Sequence, residues 1–208
     1  AVKAYVGGID YDHFKYDMVM GGRRQVGSTI KPFLYALAMQ NGMTPCTTAP
    51  NVQRSYGNWT PRNGSRARYG QQVPLRWGLQ QSNNWISAYL ISLLGPSQFV
   101  NILHDFGLNN PDIDKNATPV LCLGPSELSV GEMCSAYTTF VNHGVRCAPL
   151  FVTRIEDSHG NIVAKFQPLM NEVISEESSF KMLDMLQAVI QGGTGGRFSL
   201  ANMAKHCL

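Results

Sequence analysis

Apolar residues recur at helical spacing over residues 28–40, where Phe33, Leu34, Leu37 and Ala38 mark one helix and Gly42 its stop. Before it, residues 1–9 read as a strand ending at Gly7-Gly8. After it, residues 43–73 are rich in Gly, Pro, Asn and Arg and read as a long surface loop. A loop of that length inside a domain points to function or mobility. Pro74 opens a helical stretch running toward Leu94 and stopped by Gly95-Pro96, and Pro96 to Phe106 is a short helix ended by Gly107. Residues 108–124 show no regular period, and Pro125 then starts a helix that runs to Asn142 and ends at Gly144. Phe151–Ile155 and Ile162–Phe166 flank the turn Asp157-Ser158-His159-Gly160-Asn161 as a hairpin within residues 149–167. A last helix over residues 175–191 has Ser175 as its cap and Ser178 at the box position, and it runs into Gly192-Gly193-Thr194-Gly195-Gly196.

Helices therefore dominate the middle and strands appear at both ends, an α/β or α+β pattern. The 208 residues fit one domain, with 44% hydrophobic and 15% charged residues, which excludes wholesale disorder. The longest apolar run, Trp85–Leu94, is too short for a bilayer and is interrupted by Ser87 and Ser92. The N-terminus becomes polar too soon for a signal peptide and reads as a strand already under way. Five cysteines (Cys46, Cys122, Cys134, Cys147, Cys207) form no C-x-x-C pair, and the five histidines lie far apart. No zinc spacing results, no metal or cofactor is expected, and the cysteines read as buried free thiols.

Charge is segregated along the chain. Net charge is only +3, yet between Met18 and His104 there is no acid, against Arg23, Arg24, Lys31, Arg54, Arg62, Arg66, Arg68 and Arg76. A one-signed field of this kind favours an anionic partner or substrate, although a solvated basic face has the same signature.

Two short motifs carry chemistry. In Gly27-Ser28-Thr29-Ile30-Lys31-Pro32-Phe33, a serine precedes a lysine by three residues, on one helical face. Serine needs a base, and a partly desolvated lysine loses pKa and can serve. Pro32 is cheap only near a helix start, which puts Ser28 beside orphan N–H groups suited to an oxyanion. The same spacing also fits an N-cap serine and a surface lysine. In Ser82-Asn83-Asn84, a hydroxyl and an amide straddle one position at a turn or helix join, able to relay a proton and hold a substrate amide. Alone that triplet also fits a cap.

As an ordered pair, S-x-x-K followed by S-x-N matches two of the three motifs shared by penicillin-binding proteins and class A β-lactamases. The chain resembles the transpeptidase domain of a class A, bifunctional penicillin-binding protein. The likeness extends through Arg24–Phe33, Pro61-Arg62-Asn63, Tyr69-Gly70, Leu75-Arg76, Leu123-Gly124, Glu127-Leu128, Ala136-Tyr137, Asn142-His143-Gly144 and Gly193–Arg197. It implies a penicillin-binding, serine β-lactamase-like fold with helices packed on an antiparallel sheet. It also implies a D-Ala-D-Ala transpeptidase that cross-links peptidoglycan stem peptides and is acylated by β-lactam antibiotics. Ser28 is then the nucleophile, Lys31 its base, Ser82 the proton relay to the leaving amine, and Asn84 the amide that binds substrate and holds Lys31. Thr29, Gly193 and Thr194 fall at substrate-binding positions. The parent protein is expected at the outer face of the cytoplasmic membrane, in the periplasm, anchored and with cell-wall synthesis partners. Its glycosyltransferase domain and anchor lie outside residues 1–208, a partial transpeptidase domain.

One departure matters. At the distance where the family has Lys-Thr-Gly, this chain has Lys205-His206-Cys207 and then its last residue. The third motif is expected to be absent or degraded and the C-terminal strands incomplete, which leaves a poor catalyst or none. Two alternatives stay open: a non-catalytic fragment that keeps the fold, and a module for anionic polymers, supported by arginines interleaved with Tyr56, Trp59, Tyr69 and Trp77. Nucleic acid itself is not an expected partner. A β-lactamase is disfavoured, because the span from Met18 to His104 holds no acid to serve a deacylating water.

Overall fold

The computed structural model describes residue 2 and residues 4–198. Its ordered elements begin with strand β1 (Arg23–Gln25), a 3₁₀ turn (Gly27–Ile30) and helix α1 (Lys31–Gln40). Strands β2 (Thr48–Pro50) and β3 (Gln72–Pro74) follow, then helices α2 (Leu75–Gln80), α3 (Asn84–Leu94), α4 (Pro96–Asp105) and α5 (Pro111–Lys115). A second 3₁₀ turn (Pro119–Leu123), β4 (Glu127–Ser129), α6 (Val130–Val141) and β5 (Val145–Cys147) come next. The chain continues through β6 (Arg154–Glu156), β7 (Ile162–Lys165), β8 (Met170–Glu172) and α7 (Glu176–Gly192).

Helix α1 is the centre. Every residue from Ile30 to Met39 is buried, and all of them but Lys31 and the Tyr35 hydroxyl are apolar, as suits a helix enclosed by others. The Phe33 ring meets Phe106, Tyr137 and Phe140 at centroid distances of 4.8, 5.2 and 5.6 Å, joining α1 to the end of α4 and to α6. Ile86, Leu90 and Ile91 of α3, Phe99 and Leu103 of α4, and Met182 and Met185 of α7 complete the core. No single helix among the described residues is long and apolar enough to cross a membrane.

All strand pairing among the described residues is antiparallel and two-stranded: β1 with β4, β2 with β3, β5 with β8 and β6 with β7. Residues 4–9 form no strand. Val6 and Ile9 are exposed, Met18 N–H reaches back to Gly7 O at 2.8 Å, and the Tyr5 hydroxyl bonds the Asp17 carboxylate. With no neighbouring ladder among the described residues and no buried face, these residues fold on themselves.

The remaining differences from the sequence reading are local. The stretch 74–94 is two helices, broken at residues 81–83. Residues 108–124 hold α5, capped by the Asn110 side chain, and the second 3₁₀ turn. The stretch from Pro125 enters β4 first, and α6 starts later, at a capping box in which Ser129 and Glu132 satisfy each other's backbone N–H. The 43–73 loop is closed at its base by β2 and β3. The hairpin and the Ser175-capped helix lie where expected. Of the cysteines, Cys122 is buried and Cys147 half-buried, but Cys46 and Cys134 are exposed, because they sit in a loop and on the outer face of α6. Lys205-His206-Cys207 lies outside the described residues.

Candidate active site

Ser28 occupies the 3₁₀ turn that leads without a break into α1, with Lys31 the first α-helical residue and Pro32 behind it. In a 3₁₀ turn residues i and i+3 eclipse, and the Lys31 N–H bonds Ser28 O, so both side chains leave the same side of the turn. Ser28 is exposed and Lys31 is 1% exposed. The nucleophile candidate faces solvent while the candidate base is sunk beneath it.

The turn is held from behind. Gly27 N–H donates to Gly124 O at 3.0 Å and Val26 N–H to Ser126 O at 3.2 Å. Gly124 has φ +68°, and a Cβ there would lie 2.2 Å from Gly27 O, so the close approach requires glycine. The Thr29 hydroxyl donates to Val26 O at 2.6 Å, and the Tyr137 hydroxyl donates to Thr29 O at 2.7 Å.

The second motif arrives at the break between α2 and α3. Ser82 has φ +50°, a left-handed conformation unusual for a residue with a side chain. It is fixed on both sides: Ser82 N–H bonds Leu79 O at 2.9 Å, and buried Asn83 caps α3 by accepting from Trp85 and Ile86 N–H. Lys31 Nζ donates to Ser82 O at 2.6 Å and to Asn84 Oδ1 at 2.6 Å, and lies 3.0 Å from Ser82 Oγ. Burial pushes the Lys31 ammonium down to about 8, opposed by the nearby Cys122 thiol. Burial pushes that thiol up to about 12, so it is uncharged near neutrality. Among the described residues, the Ser28 hydroxyl makes no hydrogen bond to Lys31. The amine is docked on the second motif, in line with catalytic hydrogen bonds that tighten only when substrate is bound.

Residues 2–203 match the model of the penicillin-binding protein transpeptidase domain. The chain belongs to that family. Over 205 residues it is 31% identical to penicillin-binding protein 1A of Aquifex aeolicus, a match covering 96% of this chain and 28% of that protein. Against penicillin-binding protein 1A of Neisseria lactamica it is 30% identical, covering 93% of this chain and 25% of the relative. The crystal structure of penicillin-binding protein 1A from Haemophilus influenzae superposes with a TM-score of 0.79 at 27% identity, covering 96% of this chain and 35% of that one. The chain thus spans about a quarter of the length of these curated relatives.

In this transpeptidase domain, the residues expected at substrate-binding positions are dispersed. Thr29 is exposed, its hydroxyl already engaged by Val26 O. Gly193 and Thr194 pack on the end of α2: Thr194 N–H bonds Gln80 O at 3.2 Å, two residues before Ser82. Sequence reasoning singled out no role for three asparagines that build the second motif. Asn63 Oδ1 accepts from Asn84 N–H at 2.9 Å, and Asn84 Nδ2 donates to Arg62 O at 2.7 Å. Asn83 Nδ2 donates to Asn51 Oδ1 at 2.8 Å, with Asn51 itself fully buried. Asn63 and Asn83 were visible only as parts of longer segments, and Asn51 carried no signal in a loop of common polar residues. Among the described residues, no three His, Cys, Asp or Glu side chains gather to hold a metal.

Proposed function

We propose that this domain is a serine acyltransferase of peptidoglycan synthesis, with Ser28 as nucleophile and Lys31 as base. The observation that carries the reading is Lys31: a buried amine depressed to about 8, gripped by Ser82 and Asn84 and set on the same side of the turn as an exposed serine. An amine of that pKa is neutral in about a tenth of molecules near pH 7, far more often than an ordinary lysine, and that form has a lone pair to accept a proton. Ser28 Oγ bonds the carbonyl carbon of a D-Ala-D-Ala peptide bond, and its proton passes to Lys31 Nζ. The C–N bond then breaks, and the proton returns through Ser82 Oγ to the leaving amine. Asn84 holds the amine and offers its amide to the acyl-side peptide. The amine of a second stem peptide attacks the ester, which forms the cross-link and frees Ser28. A β-lactam ring is opened by the same first step and stays on Ser28. Gly193 and Thr194, against α2 beside the second motif, border the substrate. By the same reading the parent protein is a class A synthase, with a glycosyltransferase domain, anchored in the cytoplasmic membrane and acting on its outer face.

The deciding experiment is intact mass after incubation with benzylpenicillin, with the adduct mapped by peptide digestion. The expected result is one adduct, on Ser28, absent from Ser28→Ala. A folded sample with no adduct, or with the adduct elsewhere, overturns the reading and leaves a non-catalytic domain that keeps the fold.

A further inference from the structure

The acid-free span that contains both motifs does not neutralise its arginines internally. Where a guanidinium has a structural partner, the carboxylate comes from the C-terminal half: Arg23 pairs with Glu132 at 3.1 Å and Arg76 with Asp184 at 2.9 Å. Arg54, Arg62, Arg66 and Arg68 are exposed, and none has a carboxylate partner among the described residues. All four belong to the loop between β2 and β3. Two of them are steadied by aromatic rings, Arg66 over Tyr69 at 5.8 Å and Arg68 over Trp77 at 5.3 Å, an arrangement that leaves the in-plane N–H donors free.

This loop is part of the site's construction. Asn51 Nδ2 holds Ala67 O and Arg68 O at 2.9 and 2.8 Å, the Trp85 indole N–H holds Pro61 O at 3.1 Å, and Asn84 Nδ2 holds Arg62 O at 2.7 Å. The amide that ties down Arg62 is the one whose oxygen takes the Lys31 amine. A single side chain therefore separates the Arg62 main chain from the candidate base. Four exposed guanidinium groups without a carboxylate partner among the described residues give this anchored loop one sign of charge, and a bound anion suits both that sign and the forked geometry of guanidinium.

We infer that the Arg54–Arg68 loop is a carboxylate-recognition surface, with Arg62 its principal contact, which holds a free side-chain carboxylate of the substrate peptide beside Ser28. The inference deepens the proposed function and names the feature of the peptide that is read. It gives the positive segregation of the N-terminal half a purpose that acyl transfer alone does not need.

The test is a binding measurement that requires no acylation. A soluble stem-type peptide with one internal free carboxylate and no D-Ala-D-Ala end is compared by calorimetric titration with its carboxamide twin. The wild-type domain is expected to bind the carboxylate peptide at least about fivefold more tightly. Arg62→Gln is expected to bring the twins within about twofold, with smaller losses for Arg54→Gln, Arg66→Gln and Arg68→Gln. Lys165→Gln, on the exposed hairpin, is expected to change nothing. Unchanged thermal midpoints show that these surface variants are folded. Equal affinity for the twins overturns the inference, as does equal loss in Lys165→Gln. Polyphosphate binding that displaces both twins alike overturns it in favour of a general polyanion surface. If benzylpenicillin never labels Ser28 yet the twins are discriminated, the acyltransfer reading fails and the anion surface stands. If Ser28 is labelled and the twins bind alike, the outcome is the reverse.

Discussion

The side chains of Asn51 and Asn83 are hydrogen-bonded to each other at 2.8 Å in the interior, 32 residues apart in sequence. Each also holds main chain: Asn51 takes Ala67 O and Arg68 O, and Asn83 takes the N–H groups of Trp85 and Ile86. One buried amide pair thus ties the arginine loop to the cap of α3, and buried networks of this kind are costly when half satisfied.

Asn51→Leu leaves two carbonyls and the Asn83 amide without their partner. It is expected to cost about 3 kcal/mol in urea unfolding. Acylation by benzylpenicillin is expected to slow by about tenfold or more, because Ser82 and Asn84 lose their register with Lys31. A normal acylation rate in the folded variant would mean that the loop does not position the second motif.

Lys31 sets two pH dependences with one cause. Its folded amine lies at about 8, against an ordinary 10.5 in the unfolded chain. The acylation rate is therefore expected to rise with pH through about 8 and then level, as the neutral amine becomes the major form. Between pH 8 and 10.5 the unfolded lysine keeps a proton that the folded one has lost, so rising pH favours the folded state. The gain is about 3 kcal/mol across that window, and it is lost again as pH falls from 10.5 to 8, below which both states are protonated and the contribution is flat. Urea unfolding of the wild type and of Lys31→Met, measured in parallel from pH 7 to 11, isolates it as a difference that vanishes if the lysine is not buried.

Gly124→Ala places a Cβ 2.2 Å from Gly27 O at a backbone position with φ +68°. Both effects act together, for an expected cost of about 2–5 kcal/mol. Gly160→Ala is the control, since φ is +83° there and no atom lies within 4 Å of the added methyl. It should cost only about 1–2 kcal/mol, the conformational part. Equal unfolding midpoints for the two variants would mean that the Gly27–Gly124 contact yields easily.

Tyr137→Phe removes the only donor that the Tyr137 ring brings to Thr29 O and keeps its packing on Phe33. The expected loss is about 1 kcal/mol of stability, with a slower acylation rate, because the Ser28 turn loses its clamp from α6. Rates equal to wild type would confine Tyr137 to the core.

The central helix, the hairpin and the last helix were legible because their evidence is local: spacing of Phe33, Leu34 and Leu37, a glycine-bearing turn, and a serine cap. That Ser28 and Lys31 leave the same side of the turn was legible for the same reason, since three residues of separation on a helical turn is a local fact. Asn51, Asn83 and Gly124 were not, because each acts on a distant partner and a polar or glycine residue in a loop looks alike whether buried or exposed. The residues 74–94 misled for an instructive reason. Their apolar spacing is helical throughout and does not show the break, which only the Ser82-Asn83-Asn84 triplet, read as a turn or helix join, pointed to. The N-terminal residues differ from their reading as a strand, since among the described residues no strand lies beside residues 4–9 to pair with them.

The break between α2 and α3 has one consequence for how the site can evolve or be damaged. In an unbroken helix the Ser82 carbonyl would accept the Ile86 N–H, four residues on, and be closed to everything else. Here the Asn83 side chain satisfies that N–H, so a main-chain oxygen is left over to receive the Lys31 amine. Part of the Lys31 socket is therefore a group that every residue type possesses, made available only by an interruption in regular structure. A substitution that let the two helices fuse would close the socket while leaving Ser28, Lys31, Ser82 and Asn84 all in place in the sequence.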